Sequence, residues 1–143
     1  MKMKTRELQT LWWDWLGTSE RLIRSLGEQS AALVLRDVGR VESIQPELNA
    51  MLERMKSIDD RAAESARKLA EDLGVEPSLR SLVGALEKAE AQQVQAIAHR
   101  VEIVAQSVEE ALDRNRRLID NELTYVTGTL ALIAKSARDQ ESR

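Results

Sequence analysis

The chain has 143 residues, of which 43% are hydrophobic and 31% charged, and its formal net charge is −3. This length corresponds to one domain, and we expect residues 1–143 to form a single helical domain. Acidic and basic residues nearly balance, so the net charge gives no field that would hold nucleic acid or an anionic membrane. The absence of cysteine excludes disulfides, zinc–thiolate sites and thiol nucleophiles.

The apolar segments of the sequence are short. No stretch approaches the roughly 18 apolar residues of a membrane span, and residues 1–16 have neither an uninterrupted apolar core nor a signal cleavage site. We therefore expect a cytoplasmic protein without stable membrane insertion. Few glycines and prolines, no phenylalanine and abundant alanine, leucine and glutamate favour helices over sheets, so we expect an all-α fold.

The first two helices are predicted from apolar stripes at helical spacing, over residues 4–35 and 38–73. Asp37 can cap the start of the second helix, and Gly74 stands where a left-handed C-terminal residue belongs. Pro46 removes a backbone donor near the start of this helix. It predicts either a kink or a later helix start, and the sequence leaves both open.

After residue 77 the apolar stripe resumes and continues without a proline almost to the end of the chain. One helix of about 60 residues would be about 90 Å long, more than the first two helices could cover, so its distal part must bend back, break or protrude. The polar run at residues 113–117 is the expected break. It separates a third helix at 78–112 from a C-terminal helix at about 114–136.

Helices of these lengths with short connections predict an elongated antiparallel bundle. It contains three long helices, and the C-terminal helix either continues from the third or folds back on it. Whether the free protein is a monomer or a homodimer is left open.

The sequence offers little for catalysis. Adjacent residues of a helix point about 100° apart and cannot form a carboxylate dyad, so neighbouring acids are expected on solvated helix faces. These acids are Asp59 and Asp60, Glu71 and Asp72, and Glu109 and Glu110. The single histidine, His99, is expected at the surface, and no phosphate loop or catalytic motif occurs. We expect no enzyme, no catalytic residue, no metal ion and no cofactor.

Two features of the sequence admit more than one interpretation. Trp12 and Trp15 lie on the first stripe, whereas Trp13 points about 140° away from it and is either packed elsewhere or available to a partner or membrane. In the C-terminal helix Asn115 falls at the centre of the stripe, and apolar side chains cover a wide arc. This helix either binds an amphipathic helix of another chain, or completes a four-helix bundle with Asn115 fixing the register.

The pattern of the C-terminal segment resembles a known family. Residues 115–133 read NRRLIDNELTYVTGTLALI, of the form N-x-x-L-I-x-x-x-L-x-Y-V-x-x-x-L-x-L-I. They follow an Asp-led second helix that carries Arg61 and ends at Leu-Gly. Over nearly the whole chain this arrangement resembles the flagellar type III export chaperones of the FlgN type. The tryptophan cluster at residues 12–15 and Pro46 depart from the family pattern.

The resemblance implies a cytoplasmic chaperone for hook-filament junction proteins. Such a chaperone binds the C-terminal helices of these proteins, prevents premature assembly and delivers them to the type III export apparatus. The implied substrate-binding residues lie on the C-terminal helix: Asn115, Leu118, Ile119, Leu123, Val126, Leu130 and Ile133. The resemblance also implies that Tyr125 contacts the export gate.

A structural protein is the alternative of a different class. A phasin-like surface-coating protein or a coiled-coil assembly subunit would use the tryptophan-rich amphipathic first helix as an interfacial anchor. Asp14 and Glu20 on that helix weaken any attraction to anionic lipid.

Overall fold

The computed structural model describes the backbone of residues 3–141 and the side chains of residues 3–119. Over that range the chain forms four helices and no strand. They are α1 (Arg6–Val34), α2 (Val38–Leu73), α3 (Leu79–Ala85) and α4 (Lys88–Glu141). The prediction of an all-α helical bundle is confirmed. None of the described helices has an apolar stretch of the length needed to cross a bilayer.

The first helix is the one that contacts both other long helices. It runs antiparallel to α2, because Asp14 pairs with Arg54 at 3.0 Å, whereas Gln29, further along α1, donates a hydrogen bond to Gln45, which comes earlier in α2. The short α3 contacts α2 and α4 and connects them.

Helices α1 and α4 run parallel, and their paired residues keep the same difference in residue number along the bundle. At one end the backbone N–H and hydroxyl of Thr5 donate to the Glu90 carboxylate at 2.9 and 2.8 Å, across 85 residues. At the other end the Ser30 hydroxyl donates to the Asn115 side chain, again across 85 residues. The two contacts fix the register of α4 along α1.

The core follows the predicted stripes. Leu22 and Val94 are fully buried. Apolar side chains that recur at spacings of three and four, most of them on α1 and α2, form one cluster that also includes residues of α3 and α4. Its members include Leu8, Leu11, Trp15, Leu26, Ile44, Leu48, Met51, Met55, Ile58, Ala62, Leu69 and Val108. Burial of this continuous apolar surface is what stabilises helices that contain exposed glycines.

The ends of α2 match the prediction. Asp37 accepts a hydrogen bond from the Arg40 backbone N–H at 3.2 Å, and Gly74 adopts φ 67°, the left-handed conformation that ends many helices. Pro46 lies inside α2, which begins at Val38, so the alternative of a later start is wrong. It is the ninth residue of the helix, so α2 lacks the hydrogen bond that an N–H at this position would donate to the Glu42 carbonyl.

The predicted third helix at 78–112 differs from the structure. The chain breaks at Leu86, whose φ and ψ of −92° and 158° are extended, and α4 begins at Lys88. Glu90 stands in the first turn of α4, where a carboxylate favours the helix N-terminus, and Thr5 binds it there. These interactions position a helix start that the apolar periodicity did not indicate.

The predicted break at residues 113–117 does not occur, because α4 continues through it to Glu141. Asn115 points inward and bonds to α1, and Asp113 pairs with Arg116 along the helix at 3.7 Å. The polar run is therefore satisfied within a continuous helix. The C-terminal segment continues from the preceding helix, and the alternative that it folds back is wrong.

The offset between α1 and α4 places the end of α1, at Val34, opposite Ile119. Residues 120–141 of α4, which we call the overhang, run on as helix beyond that point. At 1.5 Å per residue these 22 residues extend about 33 Å past the end of α1. The predicted excess of helix length is thus accommodated by protrusion.

Two glycine substitutions should change the free energy of unfolding in opposite directions. Gly17→Ala should stabilise by about 0.4–1 kcal/mol, because a Cβ there meets no atom within 4 Å and alanine restricts the unfolded chain. Gly74→Ala should destabilise by about 1–2 kcal/mol, because its φ of 67° is strained for an L-residue. Urea unfolding followed by circular dichroism measures both changes in the free energy of unfolding. Stabilisation by Gly74→Ala would contradict the left-handed conformation at the end of α2.

Candidate partner-binding site at the open end of the bundle

The end of the bundle where α1 turns into α2 and α4 continues is called the open end. A layer of polar side chains crosses the three long helices there. Asn115, only 4% exposed, donates to the Gln29 side-chain oxygen at 2.8 Å and accepts from Ser30. Gln29 in turn donates to Gln45 at 2.7 Å, and Gln45 donates to Asn49 at 2.9 Å. We call these five residues the polar layer.

The polar layer gives Asn115 a structural role. Its amide is buried and paired inside the bundle, and a shift of α4 along α1 would leave buried donors and acceptors unpaired at a cost of about 1–3 kcal/mol each. This is the register role that the sequence left open for Asn115. The residue is therefore placed to hold α4 in position, and it offers no exposed contact to a partner.

A shallow apolar groove adjoins the polar layer. It lies between α2 and α4 with α1 as its floor, and Leu52 and Ile119 are partly exposed at its edges. Its lining consists of Leu26, Gln29, Gln45, Leu48, Leu52, Leu112, Asn115, Arg116 and Ile119. Of the predicted binding residues with described side chains, Ile119 and Asn115 meet here.

Leu118 does not share this groove. It is half-buried on another side of α4, where it lines a separate cavity with Glu110, Asp113, Arg114 and Arg117. Five further predicted residues lie on the overhang, and their side chains fall outside the described residues. They are Leu123, Tyr125, Val126, Leu130 and Ile133.

The sequence analysis did not predict an exposed apolar surface on the turn between α1 and α2, at the open end. Val34, Leu35 and Val38 are 68, 78 and 65% exposed, the highest values among the large hydrophobic residues described. We call these three residues the apolar turn. Apolar periodicity predicts which residues of a helix are buried, and it does not report exposed apolar residues. The sequence signal for this surface was that three aliphatic residues between the first two helices lie outside both stripes.

The apolar turn has a defined backbone. Arg36 has φ 57°, its N–H donates to the Leu33 carbonyl at 3.1 Å, and the Asp37 N–H donates to the Ala32 carbonyl at 2.9 Å. These bonds satisfy the last carbonyls of α1 while Asp37 caps α2. The three aliphatic side chains are thus held outward on a fixed turn.

The tryptophan cluster belongs mainly to the core. Trp15 is buried and Trp12 is half-buried against the hydrophobic cluster. Trp13 is 51% exposed, and the Arg100 guanidinium lies 5.7 Å from its ring centroid, within cation–π range. Part of its surface is therefore covered by α4 of the same chain.

The acidic residues do not gather at the open end. The paired acids and His99 are all exposed, as predicted. The resolved carboxyl pKa shifts lie further along α2: burial and then the charge of Asp60 raise the pKa of Asp59, and a hydrogen bond from Arg67 lowers the pKa of Glu64. Among the described residues no cluster of three acids or histidines could hold a metal ion.

Asn115→Ala should destabilise the protein by about 1–3 kcal/mol, because it leaves the Gln29 and Ser30 side chains without their buried partner. The exposed neighbour Arg114 provides the matched control, and Arg114→Ala should change stability by less than about 0.5 kcal/mol. Chemical denaturation of both variants measures the difference. Equal stability of the two variants would remove the polar layer from the account of how α4 is positioned.

Comparison with known proteins gives one result. The family model described as FlgN protein matches residues 1–142. This range includes both the bundle and the overhang of α4. No curated protein and no solved structure gives a significant match.

Proposed function

Because the chain belongs to the FlgN family of flagellar export chaperones, we propose that it binds the C-terminal helices of hook-filament junction proteins on the overhang of α4. Binding would cover these helices in the cytoplasm and prevent their premature assembly. The chaperone would then deliver its substrate to the type III export apparatus, with Tyr125 contacting the export gate.

The observation that carries the proposal is the length of α4 beyond α1. The overhang is helical for 22 residues past the last residue of α1, and its sequence repeats apolar residues at the spacing of the stripe that α1 covers within the bundle. An apolar stripe that extends past the end of the helix on which it packs is suited to an amphipathic helix of another chain. Each square ångström of apolar surface covered contributes roughly 25 cal/mol.

The residues proposed to contact the substrate follow the sequence of α4. They are Leu118, Ile119, Leu123, Val126, Leu130 and Ile133. The support for Ile119 is its place at the edge of the groove. Asn115 enters the proposal as a positioning residue, since its side chain is buried in the polar layer and holds the start of the overhang against α1.

A carboxylate introduced on the apolar stripe of the overhang should strongly weaken substrate binding. Val126→Asp places a carboxylate on the proposed apolar surface and should weaken binding of a C-terminal helical peptide from a hook-filament junction protein by about 30-fold or more. The matched control is Ile103→Asp, a residue on α4 within the bundle that is 53% exposed. Calorimetric titration measures affinity, and circular dichroism checks helicity. Loss of the fold in Val126→Asp would identify the residue as core and contradict the proposal.

Hydrogen exchange should locate the same site without mutation. Amides of residues 120–136 should exchange rapidly in the free protein and become protected with the peptide, because this part of α4 extends past the end of α1 and a helix end beyond its packing partner opens readily. Amides of α1 should change little. Strong protection of this segment in the free protein, unchanged by the peptide, would mean that the overhang is covered by its own chain or a second copy.

The surface-coating alternative depends on tryptophans as an interfacial anchor. Two of the three rings are buried or half-buried in the bundle. The exposed Trp13 lies against the guanidinium of Arg100, which pairs with Glu20 at 3.8 Å. The chaperone proposal therefore expects no sedimentation of the protein with anionic phospholipid vesicles. Cosedimentation that Trp13→Ala removes would favour the alternative.

A further inference from the structure

The surface of α4 that α1 covers continues beyond the end of α1. Within the bundle Leu112 and Asn115 lie on this surface, and Ile119 stands opposite the last residue of α1. By helical spacing the same stripe continues at residues 126 and 133 of the overhang. The space beside the overhang that prolongs the axis of α1 ends, on the side of the bundle, at the turn between α1 and α2.

That turn presents an unusual surface for an end of a bundle. Helix connections are normally polar, yet Val34, Leu35 and Val38 are together the most exposed large hydrophobic residues described. The hydrogen bonds of Arg36 and Asp37 fix the backbone, so the surface exists before any partner arrives. A preformed apolar surface binds without the entropic cost of ordering a loop.

We propose that the apolar turn is a second contact surface for the bound helix. The partner helix lies along the overhang in line with α1, and its terminal turn packs end-on against Val34, Leu35 and Val38. This inference rests on the proposed function and extends its site from α4 to the connection between α1 and α2. The bound helix then packs beside the overhang in the position that α1 would occupy if it were longer.

The geometry also defines the chemistry of the partner. Its helix spans up to the 22 residues of the overhang and carries an aliphatic residue in the turn nearest the bundle. Exposed side chains of both signs surround the turn, with Asp37, Arg40 and Glu42 at the start of α2, so apolar packing and not net charge selects the partner there. The occupant is an amphipathic helix with an aliphatic terminal turn.

A substitution in the turn tests the second surface. Val38→Asp keeps the fold, because Val38 is the first residue of α2 and acidic residues are favoured at a helix N-terminus. It should raise the Kd for the junction-protein peptide about tenfold, with circular dichroism unchanged. Ile103→Asp again serves as the control, since Ile103 is an aliphatic residue that is 53% exposed against 65% for Val38, and it should leave Kd unchanged.

The outcomes separate this inference from the proposed function. A wild-type Kd for Val38→Asp together with lost binding for Val126→Asp would overturn the second surface and leave the chaperone site on the overhang. A peptide that fails to bind the wild-type chain would overturn both. Weakened binding in both variants, with the control unchanged, supports both surfaces.

A crosslink gives a second readout that does not depend on affinity. The chain has no cysteine, so Leu35→Cys introduces one thiol at the most exposed position of the turn. A benzophenone attached there should crosslink the peptide in one terminal turn only, and the same label on Ile103→Cys should not crosslink it. Crosslinks spread along the peptide, or none from position 35, would overturn end-on packing.

Discussion

The register of α4 along α1 is the constraint on which the rest of the structure depends. It is fixed at one end by Thr5 and Glu90, and at the other by the buried amides of Gln29 and Asn115. Apolar contacts alone tolerate sliding by a turn, whereas paired buried amides do not, because a shift leaves polar atoms unpaired. This register decides how much of α4 lies beside α1 and how much extends beyond it.

The site at the open end combines surfaces of different origin. The groove edged by Leu52 and Ile119 is the space left between α2 and α4, which both pack on α1. The apolar turn is formed by the hydrogen bonds with which α1 ends. The overhang is an extension of a helix whose start and course are set inside the bundle. The bundle is held together by its own hydrophobic core, and the overhang extends past the end of α1.

The sequence predicted the long helices and their buried faces because apolar periodicity directly reports burial. It also predicted the excess length of the third stripe and the roles of Asp37 and Gly74, which follow from helix-end chemistry. The break at Leu86 was not predicted, because Leu86 continues the apolar stripe and periodicity does not report an extended residue within it. Thr5, which binds Glu90 in the first turn of the next helix, is 85 residues away in sequence. A break was expected at residues 113–117 for the opposite reason: the polar run looked unsatisfied until Asn115 was seen to pair with α1.

The candidate site was predicted less completely than the fold. The exposure of Leu35 depends on how two helices meet, which no single stripe reports. For Asn115 the sequence left open a partner contact or a register role, and the structure places its side chain inside the bundle against Gln29.

The central position of α1 also has a consequence for the order in which the chain folds. Its contacts with α2 join neighbouring parts of the sequence, whereas its contacts with α4 join residues 85 apart. Local contacts close at a smaller entropic cost than distant ones. During synthesis α1 and α2 can pair as soon as both have left the ribosome, but the face of α1 destined for α4 stays open until Asn115 emerges. A member of the flagellar export chaperone family thus passes through a stage in which its own central helix is half covered.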